Sequence, residues 1–116
     1  MRRLLLSMAL LGCAMGSGSC EPLIVEQLQR DCSRPNASDG QNACAAYLMG
    51  MVHGLQMGTM FTRRGKPFCI PDSVKSPQAI EMFNKAATER PEMQKESADL
   101  LWIMTLSSAF RCPKSR

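Results

Sequence analysis

Apolar positions along this chain recur with a helical period, in four stretches separated by polar links that carry Gly or Pro. The first stretch spans 22–31, where Pro22 suits an initial turn and Leu23, Ile24, Gln27 and Leu28 form a short, mostly apolar face. A link rich in Ser, Asn, Asp and Gly follows at 33–40. Its Asn36-Ala37-Ser38 has the form of a glycosylation sequon but reads here as a turn. The second and longest stretch spans 41–62, followed by the basic connection Arg63-Arg64-Gly65-Lys66-Pro67. The third has Ser76 placed to cap its start and Pro77 at the first helical position, and should run to Arg90. Pro91 then opens a fourth, continuing to Phe110. No segment alternates for long with period two, and no internal repeat is present. The pattern predicts an all-α fold, a small bundle of about four helices.

Two of these helices carry unusual patterns. In the second, Gly50, Gly54 and Gly58 recur every four residues as a stripe without side chains. Each glycine costs about 1 kcal/mol of helix propensity, so the stripe predicts a close backbone crossing, within the chain or between subunits. In a lipid bilayer it would be a small-xxx-small seam, but Gln41, His53 and Gln56 on the same helix argue against a span. Met49, His53, Met57 and Met60 fall on another face at i, i+4, i+8 and i+11. Thioether and imidazole ligands suit Cu(I), so copper binding is an alternative. Methionines filling an irregular core around the glycines is the preferred account, and no metal or cofactor is expected. The fourth helix is apolar nearly all round from Leu100 to Leu106, which predicts a central position or burial in a dimer interface.

Charge adds information mainly at the amino terminus. Met1-Arg2-Arg3, the apolar run Leu4–Leu11 and the small residues Gly16-Ser17-Gly18-Ser19 have the order of a bacterial secretory signal, too short to cross a bilayer as an anchor. The expected division is a signal peptide at 1–19 and a helical domain at 20–116. Leu10-Leu11-Gly12-Cys13 also resembles a lipobox, so a lipoprotein signal ending before Cys13 competes with ordinary cleavage after Gly16 or Ser19. Removing Arg2 and Arg3 lowers the formal net charge from +4 to +2, which weakens any nucleic-acid interpretation of the basic balance. Export to the periplasm is expected, with membrane contact only through the lipid anchor.

Cysteine usage agrees with export. With Cys13 in the signal and Cys20 at the new amino terminus, Cys32, Cys44, Cys69 and Cys112 form an even set within the domain. Four cysteines allow three pairings. Cys32–Cys44 with Cys69–Cys112 is preferred, because each then ties a helix end to a neighbouring element. The chain-entropy model credits these bridges with about 3 and about 4 kcal/mol. No Cys-x-x-Cys and a single histidine argue against zinc. Nothing in the sequence pairs a thiol with His53 as a base, and there is no phosphate loop or paired-carboxylate site, so an enzyme is not expected.

An ordered set of residues also carries a resemblance. Leu23 to Cys32, then Cys44-Ala45-Ala46-Tyr47-Leu48-Met49-Gly50, Phe68-Cys69-Ile70-Pro71, Pro91 and the closing Ala109-Phe110-Arg111-Cys112 resemble the Rap/Tai immunity family over most of the mature chain. His53 stands where members often carry an acidic residue, and Arg111 where proline is common. The resemblance implies a small, exported, all-helical, disulfide-bonded protein. It further implies that the protein binds a peptidoglycan amidase delivered by type VI secretion and occludes its active-site cleft, with a homodimer as one form. A periplasmic interaction or chaperone-like protein of the same fold is the alternative.

Inhibitors that plug a cleft need protruding polar segments on a rigid scaffold. Two links qualify as candidate partner-binding elements: the cationic tip Arg63, Arg64 and Lys66, and the junction Glu89, Arg90 and Glu92.

Overall fold

The computed structural model of the chain describes residues 18, 20–36, 38–61, 65–66 and 68–114. Most of the signal-like segment, with Cys13, lies outside the described residues, as do Arg63, Arg64 and Pro67 of the basic link. The described residues form four α-helices: α1 (Val25–Cys32), α2 (Asp39–Phe61), α3 (Ser76–Glu89) and α4 (Ala98–Ala109). A 3₁₀ turn at Pro91–Met93 lies between the last two. The fold is all-α, as the apolar period predicts. Both preferred disulfides are present, Cys32–Cys44 and Cys69–Cys112, with Cα atoms 5.1 and 4.9 Å apart.

Each helix buries the stripe its sequence offers. Val25, Leu28 and Cys32 of α1 face Cys44, Leu48 and Val52 of α2, while Ala79, Phe83 and Ala87 recur every four residues along α3. Small alanines on α3 let it approach its neighbours closely, and α2 packs on both α1 and α3. The chain's single tryptophan fills the centre. Trp102 of α4 is fully buried, meets Phe83 edge to face at 6.3 Å, and donates its indole N–H to the Leu48 carbonyl at 3.1 Å. That bond satisfies the one polar atom of a ring otherwise spent on apolar contact.

Two helix starts differ from expectation for one reason. α1 begins at Val25 instead of Pro22, and the helix expected from Pro91 breaks after its 3₁₀ turn and resumes at Ala98. The residues before both starts pair with each other as an antiparallel bridge at Ile24 and Ser97. Val25 N–H donates to the Glu96 carbonyl (2.9 Å), Glu26 N–H to Gln94 (3.0 Å), and Ala98 N–H to Leu23 (2.7 Å). Helix amino ends carry unpaired N–H groups. Here the segment before each helix supplies backbone acceptors for the other, and the Gln27 side chain accepts the Ile24 N–H at 3.3 Å. Lys95 also pairs with Glu26 across this bridge, holding the Glu26 carboxyl below its ordinary pKa.

Other ends are closed locally. The Ser38 hydroxyl accepts the Gln41 N–H at 3.2 Å, so α2 starts slightly before the expected Gln41. Ser76 is already helical, and the residue before it, Lys75, gives its N–H to the Gln78 side chain at 3.0 Å. Asn84 of α3 donates to the carbonyl of Cys32 at the end of α1, 3.3 Å away.

Candidate partner-binding surface

Helix α2 changes character along its length. Gly40, Cys44, Leu48 and Val52 are buried at four-residue intervals, and beyond Val52 no residue of the helix is fully buried. Leu55 and Thr59 are half-covered, whereas Met57, Met60 and Phe61 are 53, 75 and 84 % exposed. From Gly40 to Phe61 the helix contains no Asp, Glu, Lys or Arg. A solvated helix face is normally charged. This one presents large apolar groups and glycines to water.

The glycine stripe therefore marks no helix crossing among the described residues. Gly50, Gly54 and Gly58 are exposed, and a methyl group added at any of them would meet nothing within 4 Å among the described residues. Their propensity cost predicts a close neighbour within the chain or between subunits, and no described residue of the chain supplies one. Gly40 is the glycine of this helix that is enclosed, with the Arg34 side chain over it. The methionines likewise divide: Met49 packs partly against the core, whereas Met57 and Met60 project outward. His53 and Met49 line a small hollow with Ile70 and Pro71, and Met57 and Met60 line the adjoining groove.

That groove, of about 540 Å³, runs between the carboxyl end of α2 and the segment that follows it. Leu55, Met57 and Met60 form one wall; Phe68, Ile70 and Pro71 form the other, with Lys66 and Asp72 at its edge. The second wall belongs to an irregular strap, pinned by the buried Phe68 ring, by Cys69–Cys112, and by a 2.8 Å bond from Cys69 N–H to the Phe110 carbonyl. A larger cleft of about 1000 Å³ lies at the other end of the bundle, between the start of α2 and α3. More of its lining residues are polar, among them Asn42, Glu81, Asn84, Lys85 and Thr88.

The described residues of the two candidate links do not come together. Lys66 is exposed at the edge of the groove, and its tip partners Arg63 and Arg64 lie outside the described residues. Glu89 and Glu92 are exposed and Arg90 is half-buried at the far end, where Glu89 borders the polar cleft and pairs with Lys85 at 4.0 Å. Leu100 and Met104 are the exposed apolar residues of α4, 44 and 38 % accessible, so this nearly all-apolar helix is covered on one side only. Tyr47, on α2, has its hydroxyl pKa raised by partial burial and then by the Asp99 carboxylate at the start of α4. The exposed row of Met57, Met60 and Phe61 was not among the expected site residues. Its signal in the sequence was the length of helix without a charge.

Comparison with known families bears on this arrangement. The chain matches the family model described as Rap1a immunity proteins over residues 24–112. The chain belongs to the Rap1a immunity protein family. The match runs from the bridge residue Ile24 to the last disulfide cysteine, so it takes in all four helices and both disulfides. No match was found among curated proteins or among solved structures. Membership of the Rap1a family points to an immunity function, exerted by binding a toxin or effector.

Proposed function

We propose that this Rap1a family protein acts in the periplasm as the immunity partner of a peptidoglycan amidase delivered by type VI secretion, binding the toxin and occluding its active-site cleft. The observation that carries this is the family match across the whole helical domain. Two disulfides suit an oxidising compartment, and a signal-like amino terminus suits delivery there. The partner-facing surface is the carboxyl end of α2 with its strap. Methionines adapt their shape to a partner, and a contiguous exposed apolar patch is the usual mark of a docking surface. The cationic tip lies next to it in sequence, where rim charges would speed association.

The test is inhibition. Oxidised mature protein, mixed with the peptidoglycan amidase effectors of the same cell, should abolish the activity of one of them at a one-to-one ratio. Full amidase activity at saturating protein for every effector tried would reject the proposal. A homodimer is the second reading, favoured by the open glycine side of α2, where a second helix could lie without steric obstruction. Sedimentation at rising concentration should then show dimer that Gly54→Leu disperses, and monomer at all concentrations would remove it.

A further inference from the structure

The two disulfides stand in opposite surroundings. Cys32 and Cys44 are 2 and 0 % exposed, sealed between α1 and α2. Cys69 is exposed and Cys112 half-buried, and their bond joins the strap to the tail beyond α4 across a separation of 43 residues. Few other ties hold either segment. The described strap keeps its Phe68 ring in the core, its half-buried Ile70 and the Cys69–Phe110 backbone bond. The tail at 111–114 makes no backbone hydrogen bond among the described residues. One wall of the groove is thus fastened by the Phe68 ring, one backbone bond and a disulfide whose Cys69 is exposed.

We infer that Cys69–Cys112 is a redox-accessible clasp holding the strap wall of the groove, which dithiol exchange opens while Cys32–Cys44 and the helical core stay closed. The exchange balances with a dithiol as reductant. One thiolate attacks the sulfur of the exposed residue Cys69, the S–S bond breaks, and Cys112 leaves as a thiolate that takes up a proton. The second thiol of the reductant then displaces Cys69 from the mixed disulfide, so the dithiol is oxidised and both cysteines are reduced. Exchange rates follow access to the sulfur under attack, and only the outer bridge offers it. The same chain would therefore carry a formed groove in an oxidising compartment and a loose strap in a reducing one. That consequence for partner binding rests on the proposed immunity function; the clasp itself does not.

Graded reduction tests the clasp without any partner. After the exposed Cys20 is blocked, the oxidised protein is treated with rising dithiothreitol, alkylated, and mapped by mass spectrometry. Cys69 and Cys112 should become alkylated at least about tenfold faster than Cys32 and Cys44. Chymotrypsin should then cut after Phe68 in the strap, while far-ultraviolet circular dichroism is unchanged and thermal unfolding stays cooperative at a lower midpoint. Equal reduction of both bridges, or earlier opening of Cys32–Cys44, would overturn the inference. So would an opened outer bridge with a strap as protease-resistant as before. The double variant Cys69→Ser, Cys112→Ser should reproduce the cut strap; if it does not fold, graded reduction of the natural protein decides alone. An intact clasp response with no amidase inhibition would count against the partner and leave the clasp standing.

Discussion

The first and second halves of α2 are made from similar residues and do opposite work. Between Asp39 and Val52 a buried residue appears every fourth position, and Cys44 adds a covalent tie to α1. Between His53 and Phe61 the same helix carries two glycines, two exposed methionines and an exposed phenylalanine, with only Leu55 and Thr59 turned partly inward. The first half is helical because its apolar stripe is buried. The second half has poor intrinsic propensity and little burial, and it continues by propagation from a helix already nucleated. Apolar composition alone therefore does not separate core from contact surface. What separates them is whether the residues lie on the line that the neighbouring helices share.

The largest effect that would test this contrast lies at the centre. Trp102→Ala removes the ring that bridges α2, α3 and α4, and should cost about 3–5 kcal/mol, measured as a shift in denaturant midpoint. Trp102→Phe keeps most of the ring and forfeits the bond to the Leu48 carbonyl, so the hydrogen-bond part of its cost should be about 1 kcal/mol. If Phe61→Ser cost as much as Trp102→Ala, the distinction between the halves would fail.

Next in size is the glycine stripe. Gly54→Ala should stabilise the isolated domain by about 0.5–1 kcal/mol, because the added methyl meets open space and the helix gains propensity. A lower melting temperature for this variant would show that something packs on the stripe in solution. Smaller again, Met60→Ser and Phe61→Ser should move stability by no more than about 0.5 kcal/mol, since both side chains are already in water. Their effect should appear in partner affinity.

The smallest effect belongs to the exposed Glu26–Lys95 pair. Lys95, by hydrogen bond and by charge, holds the Glu26 carboxyl below its ordinary value. A depressed carboxylate stabilises the fold above its unfolded pKa, and that contribution fades as pH falls through the folded value. Melting curves of the natural protein and of Lys95→Met should therefore converge in acid and differ slightly near neutrality.

Much of the architecture was legible because it was local. Helical periods, Pro77 and the polar links located the helices, and pairing each helix end with a neighbouring element favoured the disulfide pairs that occur. The start of α4 was misplaced because backbone from the other end of the chain decides it. Gln94 to Ser97 read as helix until they pair with Leu23 to Glu26. The glycines read as packed because their propensity cost implies a close neighbour, within the chain or between subunits, and no described residue of the chain supplies one. An uncharged helix longer than one face of the core can cover was the better indicator of exposure.

The pairing of the two helix amino ends also has a consequence for a chain that emerges from one end. The acceptors for Val25 and Glu26 are carbonyls of Glu96 and Gln94, about seventy residues later, so closing this contact carries a large loop entropy. The first helix to be synthesised is completed by some of the last backbone to appear. A chain threaded amino end first would therefore hold α1 unfinished until the segment before α4 arrives, and an interruption before Gln94 would leave three helices without the strand-like clamp that closes them.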